Sequence, residues 1–139
     1  MIILDTNVLS ESLKPEPSLV VLRWLAAQER MSVFITAITQ AEILYRVEQI
    51  KPGKRWKQFL EVVEEIFTHE FGGRILPFNE EAARMFPGIV SVRKAAGRPI
   101  SQFDAMIASI ARSHGATLAT RNTRDFQRCG IEIVDPWIE

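Results

Sequence analysis

The pattern of apolar runs predicts an α/β fold: a central, mostly parallel sheet of about five strands, covered by helices on both faces in three layers. Three observations carry this expectation. Short apolar runs of strand length recur along the chain, each bounded by turn or charged residues. Segments with helical periodicity lie between them, and strands that alternate with helices pair in parallel. No internal repeat, low-complexity tract or linker divides the 139 residues, so a single domain over residues 1–139 is expected.

The strand-like runs are Ile2–Leu4, Ser32–Ile35, Ile75–Phe78, Ala116–Ala119 and Ile131–Val134. Their length weakens the helix alternative. The first helix expected is Ser18–Glu29, started by Pro17 and Ser18, with Leu19, Val21, Leu22 and Leu25 on one face. Thr39–Ile50 carries Ala41, Ile43, Leu44, Val47 and Ile50, and Lys54–Phe71 carries Trp56, Phe59, Leu60, Val63, Phe67 and Phe71. Asn79 caps a helix running towards Gly97, in which Pro87 predicts a kink or a split. Ser101–His114 is a continuous helical pattern stopped by Gly115. The large aromatics Trp24, Trp56, Phe59 and Phe67 are read as core or interface.

Composition narrows the function. Hydrophobic content of 47% and charged content of 24% describe an ordinary globular protein. Lys+Arg and Asp+Glu are both 17, so a strongly basic nucleic-acid coat is absent, and nucleic-acid binding would rest on a local patch or bound cations. The single cysteine, Cys129, rules out an internal disulfide framework and fits a reducing cytoplasm. The first apolar run has no basic residues before it and does not read as a signal peptide, and no stretch has the length of a membrane span.

In a parallel sheet the functional crevice lies beyond the carboxyl ends of the strands, and Asp5 directly follows the first one. Glu42, Asp104 and Asp125 each stand three residues after a capping residue: Thr39, Ser101 and Asn122. Taken singly they are capping-box acids, and Asp5-Thr6-Asn7 is an N-cap or turn after a strand. Taken together they bring carboxylates to one edge with no matching set of cations. Such a cluster requires protons or a bound cation, and a hard ion such as Mg²⁺ or Mn²⁺ prefers its oxygen ligands. His69, His114 and Cys129 are too scattered for zinc, and His114 beside Gly115 reads as a helix C-terminal residue.

Asp5-Thr6-Asn7, Ala41-Glu42, Asp104-Ala105-Met106-Ile107-Ala108 and Thr120-Arg121-Asn122-Thr123-Arg124-Asp125-Phe126 follow one another in this order. This set resembles the PIN domain, and most closely the VapC and FitB-like toxins of type II toxin–antitoxin pairs. The likeness extends through Arg74-Ile75-Leu76-Pro77-Phe78 to Asp135-Pro136-Trp137. The resemblance implies a PIN-like fold and a cytoplasmic, metal-dependent endoribonuclease. Asp5, Glu42 and Asp104 match the first three acids of the family. The fourth position falls on Asn122 or Asp125, an amide oxygen or a carboxylate. Bound Mg²⁺, or Mn²⁺, would activate a water and stabilise the leaving oxygen. Thr6, Asn7 and Ser101 would hold the carboxylates in place, with ordinary capping and turn bonds as the alternative. A cognate DNA-binding antitoxin and a homodimer are also implied.

Two local basic groups could follow an RNA backbone: Arg112, Arg121, Arg124 and Arg128, and Lys51, Lys54, Arg55 and Lys57; a solvated helix face is the simpler reading of the second. Two other functions stay open. An aspartyl-phosphate phosphotransferase would use Asp5 as nucleophile, but it commonly needs an acid two residues later, where this chain has Asn7. A non-enzymatic nucleic-acid-binding or interaction module would use the acids only as caps.

Overall fold

The computed structural model describes residues 1–138. Strands β1 (Ile2–Leu4), β2 (Val33–Thr36), β3 (Ile75–Leu76), β4 (Thr117–Ala119) and β5 (Glu132–Val134) form one sheet in the order β3-β2-β1-β4-β5. Every pairing is parallel, with Ile2 opposite Val33 on one side of β1 and Thr117 on the other. The helices are α1 (Thr6–Ser12), α2 (Leu19–Ala26), α3 (Ala37–Glu48), α4 (Lys54–Glu65), α5 (Glu80–Ala95) and α6 (Gln102–Ser113).

The strands are apolar at successive positions because each face of the sheet buries its own core. Leu4, Val33, Ile35 and Ala119 join Val8, Val21, Ile43, Val47 and Val63 on the face covered by α1 to α4. Ile3 and Leu118 point the other way and join Ala82, Ile89, Ile107 and Ile110 under α5 and α6. This is the expected three-layer arrangement. Phe67 is buried, while Trp24, Trp56 and Phe59 pack against the first core, so these aromatics are core residues. Lys51, Lys54, Arg55 and Lys57 are exposed around the start of α4.

Several local expectations change. Helix α1 is absent from the periodic segments read in the sequence; its seven residues are too few for a periodic stripe to register. Helix α3 begins at Ala37, because Thr36, the last residue of β2, caps it by accepting from the Thr39 amide at 3.1 Å. The Thr39–Glu42 capping box therefore does not form, and Glu42 lies in the second turn. The expected helix over residues 54–71 ends as α-helix at Glu65 and continues as a π-helix over Ile66–Glu70. Pro87 does not split α5, which continues through it to Ala95. Pro87 and Ala83, four residues back, are both exposed, so water can take the carbonyl left without its amide partner. Ser18, Asn79 and Ser101 cap α2, α5 and α6, and His114 closes α6 before Gly115 at φ 60°.

The buried guanidinium of Arg74 ties the β3 edge to its surroundings by donating to the carbonyls of Arg30 (2.9 Å), Val33 and Glu70. Among the described residues, no helix is long and apolar enough to cross a membrane.

Ile3 is fully enclosed in the central strand. Ile3→Ala is expected to lower the unfolding free energy by about 2–5 kcal/mol, read from urea denaturation of the metal-free protein.

Candidate active site

The strand order reverses direction at β1: β2 and β3 lie on one side, β4 and β5 on the other. This switch point opens a crevice at the carboxyl ends of β1 and β4. Asp5 stands there, its amide bonded to the Ala119 carbonyl at 2.9 Å. The residue is only 4% exposed. Oδ1 accepts from the Thr6 amide at 2.8 Å and so caps α1. Oδ2 accepts from the Thr120 hydroxyl at 2.7 Å and the Asn7 amide at 3.2 Å. Asn7 also donates to Thr120 Oγ1 at 3.2 Å and accepts from the Arg121 amide at 3.3 Å, closing a small network around the acid.

Burial outweighs these bonds. It pushes the Asp5 carboxyl from the ordinary 3.8 up to about 6; the bonds from Thr120 and Thr6 pull down, and the charges of Asp104 and Glu42 add to the rise.

Glu42 is brought in by a chain of hydroxyls. Its Oε1 accepts from Thr6 Oγ1 at 2.8 Å. Thr6 has one hydroxyl proton, so in its 2.9 Å contact with Thr39 Oγ1 the donor is Thr39. Thr36 donates to Thr39 at 3.5 Å. Thr36, Thr39 and Thr6 are all buried, and they convert the end of β2 and the start of α3 and α1 into one positioning unit.

Asp104 lies in the first turn of α6, where the Ser101 hydroxyl accepts from its amide at 3.2 Å. Its carboxyl is half-buried and raised, chiefly by burial and further by Asp125 and Glu42, while Ser101 and Arg93 oppose the rise. Asp125 is exposed on a 3₁₀ helix, Thr123–Phe126, anchored by the buried Phe126. Asn122 precedes it but makes no side-chain cap; its backbone carbonyl accepts from the Asp125 amide at 3.0 Å, and its own amide donates to Thr120 Oγ1 at 3.0 Å. Asn122 and Asp125 line a shallow depression with Arg121, Thr123 and Arg124. Arg121 also lies over the Trp137 ring at 5.1 Å. On the other side of Glu42, Tyr45, Arg46, Gln49 and Phe103 border a second groove.

The structure thus couples Asp5, Glu42 and Asp104 electrostatically, and Asp125 to Asp104. Among the described residues, none of these acids has an ion-pair partner. The donor set is all oxygen and electron-rich, which suits a hard divalent cation. Among the described residues, no three acidic, histidine or cysteine side chains stand close enough together to hold one metal ion between them. An ion that keeps several of its waters and takes one or two carboxylates directly fits such an open arrangement. His69 pairs with Glu65 at 3.0 Å, away from these acids, and Cys129 is buried in the core under α5 and α6.

Comparisons with known proteins show the family. The PIN domain profile matches residues 2–132. Over 137 residues the chain is 38% identical to the VapC ribonuclease Y4jK of Sinorhizobium fredii, covering 99% of this chain and 98% of that protein. It is 39% identical over 137 residues to the toxin FitB of Neisseria gonorrhoeae, covering 99% of each. The crystal structure of FitAcB from Neisseria gonorrhoeae superposes with a TM-score of 0.94 at 38% identity, covering 100% of both chains. This chain belongs to the PIN-domain family, in its branch of VapC- and FitB-like toxins.

Sequence reasoning places Asp5, Glu42 and Asp104 near one edge but leaves out Thr120, Thr36 and Thr39 as parts of the site. A usable signal exists: Thr36 and Thr120 are hydroxyl residues directly after apolar strand runs, the same position that Asp5 occupies after β1.

The raised Asp5 carboxyl has a consequence for stability. Between pH 3.8 and about 6 the unfolded chain releases this proton while the native chain keeps it. The native state binds more protons there, so metal-free stability falls as pH rises through the window and stays lower above it. Asp5→Asn removes this component, on the order of 3 kcal/mol. Urea unfolding of both chains in chelator from pH 4 to 8 is expected to show the wild type losing ground to the variant across that range.

Proposed function

We propose that this chain is a metal-dependent endoribonuclease toxin held inactive by a cognate antitoxin. The reading is supported by the burial of Asp5 at the sheet's switch point, with Glu42 and Asp104 near enough to raise its pKa and, among the described residues, no ion-pair partner, in a member of the VapC/FitB branch. Asp5, Glu42 and Asp104 would hold Mg²⁺ or Mn²⁺, with Asp125 adding charge and Asn122 offering an amide oxygen to the ion or to its water. The bound ion supplies a more acidic water and a positive charge for the phosphate and the leaving oxygen.

The residues divide the remaining work. Thr120, Asn7 and the Thr6 amide orient the Asp5 carboxylate, so that it presents negative charge in a fixed direction. The Thr39–Thr6 hydroxyl pair holds Glu42 Oε1. Ser101 anchors the first turn of α6 and with it Asp104. Arg121 and Arg124, beside Asp125, give the rim a positive edge for the flanking phosphates. No histidine is required as a base, because a neighbouring carboxylate or solvent would take the proton of the attacking water. The same reading includes a cytoplasmic protein, a DNA-binding antitoxin covering the site, and a homodimer.

Purified protein is expected to cleave RNA with Mg²⁺ or Mn²⁺ and to lose this activity on chelation. Asp5→Asn and Asp104→Asn should each abolish cleavage while retaining a cooperative unfolding transition. Undiminished cleavage in chelator would overturn the metal reading. A finer test addresses the fourth position: Asp125→Asn should raise the metal concentration giving half-maximal activity, and Asn122→Asp should lower it. Equal half-saturation in all three proteins would confine the site to Asp5, Glu42 and Asp104.

In cells, expression is expected to arrest growth, with relief by co-expressed antitoxin. The arrest should disappear in Asp5→Asn; equal arrest by that variant would point to general overexpression stress.

A further inference from the structure

We infer that Arg93 is a positioning residue: from α5 it clamps the 3₁₀ segment Thr123–Phe126 and thereby sets where Asp125 stands at the acid site. The inference rests on the metal-dependent reading of that site. Arg93 is 4% exposed, yet among the described residues no carboxylate pairs with it. Its Nη1 donates instead to two backbone carbonyls, Arg124 at 3.1 Å and Gln127 at 3.0 Å. These flank Asp125 on either side. Its Nε is buried and has no hydrogen-bond partner among the described residues.

A buried guanidinium held by neutral carbonyls and left partly unsatisfied is a poor stabiliser compared with an apolar side chain of similar size. Its value lies in what it holds. The 3₁₀ segment has few restraints of its own. Asn122 provides no side-chain cap, and the closing bond from the Gln127 amide to the Arg124 carbonyl is a long 3.5 Å. Arg128, directly after the clamp, takes a left-handed φ of 62°, which a non-glycine residue adopts only where the surroundings impose it. Arg98 adds a second tether, donating to Gln127 Oε1 at 3.2 Å. Phe126, between the clamped carbonyls, is buried in the α5–α6 core. Asp125 itself is exposed, and among the described residues its side chain makes no hydrogen bond that would orient it. Its direction relative to Asp104 is therefore inherited from the backbone that Arg93 holds. The arrangement differs from that of Asp5 and Glu42, whose carboxylates are bonded directly.

The test is a double-mutant cycle between Arg93→Met and Asp125→Asn on the full chain, with Mn²⁺ binding followed by titration calorimetry. Amide exchange of Asp125 and Gln127 is followed in the metal-free protein. Arg93→Met is expected to speed exchange at these amides while α6 keeps its protection, and to weaken Mn²⁺ binding about tenfold. In the Asp125→Asn background the same change should have a much smaller effect, because its action through the Asp125 segment is gone and only the influence of the Arg93 charge on Asp104 remains. Arg93→Lys, whose ammonium can still donate to carbonyls, should lie between wild type and Arg93→Met. It carries the cycle, with the same sign and a smaller size, if the methionine variant does not fold. Unchanged exchange, an undiminished effect in the Asp125→Asn background, or tighter Mn²⁺ binding in Arg93→Met would each overturn the inference; the last is the result for a residue acting only as a repelling charge. Loss of RNA cleavage is not among the readouts, so absence of nuclease activity in the wild type would refute the proposed function without deciding the clamp.

Discussion

A carboxylate removed from water must be compensated, and the burial of Asp5 is the constraint around which this molecule is arranged. Its first oxygen is occupied by the start of α1, and its second by groups from α1 and from the end of β4. These bonds do not fully offset the desolvation, and the neighbouring acids increase the deficit. The folded chain therefore keeps a strained electrostatic centre whose natural relief is a proton or a cation. Few alternative arrangements satisfy the same groups. Moving β4 by one residue would lose Thr120, and moving α1 would lose both the Thr6 amide and the Asn7 side chain.

The parallel sheet makes this concentration of charge possible. All its strands point the same way, so their carboxyl ends deliver Asp5, Thr36 and Thr120 to one edge. Helices that leave from this edge bring further groups within their first two turns: Thr6 and Asn7 on α1, Thr39 and Glu42 on α3. Asp104 arrives from the opposite layer, at the start of α6. The site is thus built from both helical layers, across the sheet that separates the two cores. Any metal drawn to it would join the layers as well as activate water, coupling occupancy to stability.

The acids of the site are held in two ways. Asp5 and Glu42 are fixed by short hydrogen bonds from buried hydroxyls and amides. Asp125 lies on a brief helical turn at the surface, where the restraints reach its backbone rather than its carboxylate.

The alternation of apolar strand runs with amphipathic segments was enough to establish a three-layer α/β fold, because each run must bury both faces. The DTN turn after β1 marked the carboxyl edge, and the ordered acids marked the family. Boundaries were less legible. Thr36 took the capping role that Thr39 suggested by its spacing to Glu42, since the sheet carries β2 up to that residue before the chain can turn. Local spacing by itself determined which residues can cap, bury or ligate. Only the tertiary structure decided which of these capacities is used. Thr120 meets Asp5, Thr6 meets Glu42 and Arg93 meets the Asp125 segment across separations of 115, 36 and 31 or more residues. Contacts at such distances follow from strand order and helix packing, which one-dimensional periodicity does not encode.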